Sequence, residues 1–526
     1  MKPDMLSGRK ARPDLPLPRY RRRLRQSCAF ALVICVGACA VGPNYHKPGV
    51  QIPNSFKEGA DWQRAQTNPQ ESISSTWWRV YQDDKLTQLV EQSLKANQSI
   101  VAAEAAYRAA LATVQANTAG LFPVVTAGLS GSRTGTGAGA AAAAGSSGTV
   151  AAVPGVYNIV AASASASWEP DLWGGIRRQI ESAKASAQAT DAQLAGERLS
   201  IAASVAIDYF ELRQADIDIQ SLKQQQDIDS HILEMTRATF LQGEASNDEV
   251  LTAQDTLELV VAELQTAETS REQDEHAIAV LIGVPPAGFA LPPDPAYAFA
   301  LPAVPLALPS QLLERRYDVV SAERTAAAAN AKIGVADAAF FPTLTLSAEG
   351  GFEHNTFAHL FSLPNRFWTL GPALAETIFD GGARTAAVHA AEATYDEDVA
   401  TYRNTVLAAF QNVEDSLSSV NHLRQQMEAY AKILQRNQQL FASERAQRLA
   451  GSASEEDLLI QELTLLQAEQ NLKDAQALLT QGSVTLIRNL GGGWQWDDVK
   501  GPAAAGQNLS SDRGPALREA SRPPSQ

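Results

Sequence analysis

Apolar positions along this 526-residue chain repeat with two different periods. In four short stretches they alternate with small polar residues. After Pro123, Val125, Ala127 and Leu129 alternate with Thr126, Gly128 and Ser130. Val160, Ala162, Ala164, Ala166 and Trp168 alternate with Ala161, Ser163, Ser165 and Ser167. After Pro342, Leu344, Leu346 and Ala348 alternate with Thr343, Thr345 and Ser347; Trp368, Leu370 and Leu374 alternate less cleanly with Thr369, Gly371 and Ala373. A period of two predicts strands near 124–134, 156–170, 343–353 and 366–379. Segments of about ten residues with one face of small polar residues suit transmembrane β-strands. A soluble, half-buried sheet has the same period, so the pattern alone leaves both open.

Elsewhere the pattern is helical. No proline occurs between Pro170 and Pro285 or between Pro372 and Pro502, and both intervals are rich in Ala, Gln, Leu and Glu. Such sequences favour helix. Leu212, Ile219 and Leu222 fall at heptad-like spacing. Each interval contains one glycine followed by Ser and acidic residues: Gly243 before Ser246-Asn247-Asp248, and Gly451 before Ser454-Glu455-Glu456. Glycine closing one helix and Ser or Asn capping the next predict a helical hairpin. The arm before each turn is about 65 residues, roughly 100 Å of helix, which implies coiled-coil-like packing.

The two hairpins belong to a larger duplication. Phe122-Pro123 matches Phe341-Pro342, Trp173-Gly174-Gly175 matches Asp380-Gly381-Gly382 more loosely, and Ile282-Gly283 matches Leu490-Gly491. Each half reads helix, strand, loop, strand, long helix, turn, helix. Gly174, Gly175, Gly381 and Gly382 mark strand-to-helix junctions, where glycine permits a sharp change of direction. Arg177 and Arg384, just beyond them, could line a lumen or be solvated helix-surface charge. The stretches 134–149 and 354–365 read as loops.

The ends change the picture. Arg19, Arg21, Arg22, Arg23 and Arg25 precede an apolar run and then Val36-Gly37-Ala38-Cys39. This predicts a secretory leader over 1–38. Val36-Gly37-Ala38-Cys39 resembles a bacterial lipobox, which would make Cys39 the lipidated first residue of the mature chain, the alternative being an ordinary signal peptide with an incidental cysteine. The three cysteines, Cys28, Cys35 and Cys39, all lie there, so the mature chain is expected to carry no disulfide. The leader holds nine Lys/Arg and two Asp/Glu; without it the formal net charge moves from −15 to −22. So acidic a chain is a poor nucleic-acid binder. Its seven histidines form no metal-ligand pattern with Cys or carboxylates, and the glycine clusters lack a phosphate-loop context. No enzyme activity, cofactor or metal is expected. The tail beyond about residue 500 reads as disordered.

Taken in order, several pieces resemble one family. They are CAVGPNY after the leader, WWRVYQDDKLTQLVEQSLKANQSI at 77–100, residues 308–348 around LLERRYDVVSAERTAAAANAKIGVADAAFFPTLTLSA, TIFDGGARTA at 377–386, and NLGGGW at 489–494. The chain resembles the TolC-like outer-membrane factors, in the NodT-type lipoprotein branch that serves RND efflux systems. Tyr317 departs from the family's R-R-P-D pattern. The resemblance implies an α+β membrane protein. Four strands per chain would join a trimeric twelve-stranded β-barrel, continued by a long α-helical periplasmic barrel.

The implied organisation is a lipidated and equatorial segment at 39–83, a first repeat at 84–283, an equatorial linker at 284–310, a second repeat at 311–491, and an equatorial end with the tail at 492–526. The implied partners are two further copies of the chain, outer-membrane lipid, a periplasmic adaptor (membrane fusion) protein and an inner-membrane RND transporter. The implied function is a passive exit duct for drugs or other small molecules. A conduit for type I protein secretion or metal efflux remains open, as does a poreless coiled-coil scaffold lipoprotein. On the channel reading, Gly243, Ala245, Ser246, Gly451, Ala453 and Ser454 are candidates for docking the adaptor; they could also be only good turn formers. Glu455, Glu456 and Asp457 are candidates for a ring of carboxylates at the closed aperture, or for solvated residues favoured by the helix dipole.

Overall fold

The computed structural model describes residues 40–58, 75–136, 155–301 and 316–493. The leader with Cys39, most of the low-complexity stretch, part of the equatorial segments and the tail lie outside the described residues. The chain divides into two compact units. One comprises residues up to Asn44, Ala116–Glu181 and Asn330–Glu392; the other comprises Tyr45–Gln115, Ser182–Ala329 and the chain from Ala393.

The first unit contains the sheet. Strands β1 (Val124–Thr136), β2 (Gly155–Trp168), β3 (Thr343–His354) and β4 (Arg366–Ala375) form one antiparallel sheet in the order β1-β2-β3-β4. Prolines set its lower edge. Pro123 and Pro342 lack the N–H a ladder needs, so pairing starts with Val124↔Ser167 and Thr343↔Ala375. β2 therefore ends at Trp168 and β4 at Ala375, short of the 170 and 379 that alternation suggested. The turns into β1 and β3 are alike: Phe122 N donates to Ala119 O, and Phe341 N donates to Ala338 O.

Helices account for the rest: α1 (Asp84–Ala96), α2 (Gln98–Ala119), α3 (Gly175–Gln242), α4 (Asn247–Leu281), α5 (Tyr317–Ala338), α6 (Ala383–Leu449) and α7 (Glu455–Asn489). α3 and α6 have 68 and 67 residues, about 100 Å each. α4 and α7 end alike. Gly283 (φ +76°) and Gly491 (φ +94°) take the left-handed turn. Val284 N then donates to Ala279 O, and Gly492 N to Ile487 O, which satisfies carbonyls the helix end leaves open. No described helix is long and apolar enough to cross a membrane.

The core of the second unit gathers Trp77, Tyr81, Leu86, Tyr209, Phe210, Phe299, Tyr402 and Leu486. Tyr81 and Ser483 share a buried hydroxyl hydrogen bond of 2.6 Å. Tyr317 stands at the first helical position of α5, where the fixed φ of proline would also fit. Its ring occupies the space a Cβ on Gly196 would need, 2.2 Å away. The departure at Tyr317 is therefore accommodated by a glycine on α3.

Candidate functional site

The register turns four separate alternations into one surface. Cross-strand partners share a face of the sheet. Leu129 pairs with Ala162, Ala162 with Phe352, Ala164 with Gly350, Trp168 with Leu346, Leu346 with Pro372, and Ala348 with Leu370. Val125, Leu129, Trp168, Leu344, Leu346, Trp368, Leu370 and Leu374 therefore lie on a single apolar face. Thr126, Ser163, Ser165, Ser167, Thr345, Ser347, Glu349 and Thr369 lie on the other. The imperfect alternation of β4 is resolved by its register, which puts Trp368, Leu370 and Leu374 on the apolar side. On the polar face the Thr126 and Ser165 hydroxyls are 2.7 Å apart. Strands of 10 to 14 residues can span a ~30 Å hydrocarbon layer when tilted.

At the strand-to-helix junctions, Gly174 (φ +85°), Gly381 (φ +66°) and Gly382 (φ +95°) adopt a left-handed backbone. Gly175 has a different reason to be glycine: a Cβ there would sit 3.1 Å from that of Ala338. Arg177 and Arg384 are not simple surface charge. The Asp171 carboxylate accepts from Ile176 N, Arg177 N and Arg177 Nε. The Asp380 carboxylate accepts from Gly382 N, Arg384 N and Arg384 Nε. The Arg384 guanidinium and these backbone N–H groups hold the Asp380 carboxyl down at about 2. Sequence reasoning missed these clamps, although an Asp before Gly and an Arg in the first helical turn recur in both halves.

The hairpin tips have one backbone. Gly243 and Gly451 both have φ +79°. Gly243 N donates to Phe240 O and Glu244 N to Thr239 O; Gly451 N donates to Arg448 O and Ser452 N to Gln447 O. Ser246 and Ser454 then cap α4 and α7, each in a reciprocal capping box, with Glu249 and Asp457. Ala245 and Ala453 are half-buried between cap and glycine. Two residues before each glycine, Leu241 and Leu449 are each 84% exposed.

Of the three candidate aperture carboxylates, two have local partners. Asp457 bonds both N and Oγ of Ser454, which lowers its pKa. Glu455 pairs with Arg448 at 2.7 Å. Glu456 is exposed in the first turn of α7. Among the described residues no group of three or more His, Cys, Asp or Glu could hold a metal ion.

The chain matches the profile of the outer membrane efflux proteins over residues 89–284 and 308–492. It belongs to that family. It is 30% identical over 469 residues to the probable efflux pump outer membrane protein TtgC of Pseudomonas putida, covering 87% of this chain and 93% of the relative. It is 27% identical over 511 residues to nodulation protein T of Rhizobium leguminosarum bv. viciae, covering 93% and 98%. Among solved structures, the outer-membrane channel OprN is 29% identical and superposes with a TM-score of 0.75 over 87% of this chain and all of OprN. The protein is an outer-membrane channel component of an efflux system, with the fold of that family. An apolar sheet face suits contact with lipid, and a face of small polar residues suits a water-filled lumen.

Proposed function

We propose that three copies of the chain assemble one duct, through which small molecules leave the cell passively. The observation that carries this reading is a sheet face on only four strands that is apolar from Val125, Trp168, Leu344 and Leu374 up to Leu129, Val160, Phe352 and Trp368, with Arg133, Asn158, His354 and Arg366 only at its far end. β1 and β4 each have one edge without a partner among the described residues, and open edges do not persist in lipid. Four strands from each of three copies would close twelve. In this reading α3, α4, α6 and α7 build the tunnel, and the six tips dock a periplasmic adaptor through Gly243, Ala245, Ser246, Gly451, Ala453 and Ser454. Their matching backbones support this, because a threefold assembly with duplicated tips presents six similar turns to one repeated partner. An inner-membrane RND transporter would supply the energy and choose the cargo. Relatives named for toluene, pyoverdine and cation efflux support a duct that does not itself discriminate.

Cys39 carries the lipid anchor in this reading. Glu456 is the carboxylate proposed for the aperture ring, because Glu455 and Asp457 are engaged within the tip. The deciding experiment is the detergent-corrected protein mass of the purified mature particle, followed by conductance in a planar bilayer. Three chains with cation-selective conductance support the reading; a stable monomer without conductance returns it to the scaffold lipoprotein.

A further inference from the structure

We infer that the start of α3 and the C-terminal end of α5 form a receptor for the segment Ala40–Asn44, and that this receptor fixes where the lipidated Cys39 enters the membrane. The inference rests on the lipidation reading above. Arg178 is the centre of the receptor. Its side chain is only 4% exposed, and a guanidinium leaves water only where its N–H groups are used. Nε donates to Val41 O at 3.0 Å, and Nη2 donates to Gly42 O and to Asn44 Oδ1, each at 3.0 Å. Nη1 pairs with Glu181 at 2.8 Å. The buried Asn330 donates from Nδ2 to Pro43 O at 3.0 Å, and Val41 N donates to Trp173 O at 3.0 Å.

Three glycines let backbone meet backbone. A Cβ on Gly334 would sit 2.8 Å from Arg178 Cγ and 2.9 Å from Val41 O. A Cβ on Gly42 (φ +87°) would sit 2.3 Å from Gly334 Cα, and one on Gly174 would sit 2.6 Å from Ala40 Cα. Chain ends stay loose unless they are tied down. Here the tie begins at the residue directly after Cys39, whose Cα is one peptide bond, about 3.8 Å, from that of Ala40. The tether has no slack. It is fastened at the junction between β2 and α3. The same unit exposes Phe122, Phe341, Ile378 and Phe379 at its strand ends and junctions. Apolar and aromatic residues at strand ends are the side chains of a membrane–water girdle. Arg178, Asn330 and the three glycines are positioning residues for the lipid.

The test uses the full-length protein in outer-membrane vesicles, labelled metabolically with a photoactivatable fatty acid, with crosslinked positions mapped by mass spectrometry. In the wild type, crosslinks should concentrate at 121–123, 168–174, 338–342 and 376–382. Inserting ten Gly-Ser residues between Cys39 and Ala40 keeps every receptor contact but lets the lipid wander about 17 Å. The share of crosslinks at the junction should then fall several-fold. Arg178→Met should spread the crosslinks as well and speed exchange of the Val41 amide about tenfold. Scattered crosslinks in the labelled wild type, or an unchanged map after insertion, overturn the inference alone. A purified chain carrying no fatty acid at Cys39 overturns the lipidation reading, and the inference with it.

Discussion

α3 and α6 are duplicates in length and place, yet one protomer buries them differently. α3 is covered at consecutive positions: Ile201, Ala202, Ala203, Val205, Ala206, Tyr209, Phe210 and Leu212 are all buried. Consecutive burial means neighbours on several sides. α6 buries Val399, Tyr402, Val406, Ala409, Val413, Ser416 and Val420 at the three-and-four spacing of one heptad seam, with Leu417 buried beside it. Off that seam Leu407 is 62% exposed. Two helices with one origin thus have different unmet needs. Over 201–212 α3 is largely interior within a single copy, whereas α6 keeps open flanks that another copy can cover. The sheet carries the same lesson in its unpaired edges.

The largest effect expected from this difference comes from truncation. Phe210→Ala removes a fully buried ring and should cost about 3–5 kcal/mol, seen as a lower Tm whatever the state of assembly. Leu407→Asp should leave the helical content of the protomer intact by circular dichroism while lowering the particle mass from three chains toward one. If Leu407→Asp particles keep three chains, the open flank of α6 is not the face between copies.

The tips offer a sharper comparison, since their backbones match and their side chains do not. Open space surrounds both glycines: no atom lies within 4 Å of a Cβ built on Gly243 or Gly451. Any penalty at these positions therefore comes from φ alone. Gly243→Val and Gly451→Val should each cost about 1–2 kcal/mol, with Asn tolerated better than Val at both. Unequal costs in chemical denaturation would show that the tips differ beyond their caps. A smaller contrast follows from the ion pair of the second tip. Arg448→Ala should lower stability by no more than about 1 kcal/mol, because that pair is exposed.

The elements that could be read from the chain are those with local causes. Strand positions followed from alternation punctuated by Pro123 and Pro342, and the tips from a glycine followed by a Ser cap. The capping role of Asp457 was also within reach, since Ser454 and Asp457 stand at capping-box spacing. What could not be read depends on distant partners. Arg178 meets Val41 across 137 residues, and β2 meets β3 across the whole first hairpin. Neither has a period or a motif. The unequal burial of α3 and α6 was hidden for another reason: Ala-rich helices present no strong apolar stripe, so the sequence does not say which faces are covered.

The burial of α3 also predicts a pH dependence. Burial, with Glu211 and Asp274 nearby, pushes the Asp208 carboxyl up to about 7, and burial beside Glu211 pushes Asp274 up to about 6. A carboxyl raised in the fold binds its proton more tightly there than in the unfolded chain. Its favourable contribution is therefore complete below the unfolded value near 4 and is lost as pH rises through the folded value. The wild type should lose stability between pH 4 and about 7, opposite to the usual trend for paired carboxylates. Asp208→Asn keeps the shape and removes the charge, so it should raise the Tm by a few degrees at pH 8 and leave it nearly unchanged at pH 4. Thermal unfolding of both proteins across that range checks the sign. A wild type that gains stability from pH 4 to 7, with Asp208→Asn following it in parallel, would mean that the flank of α3 bearing Asp208 is wet in the assembled protein.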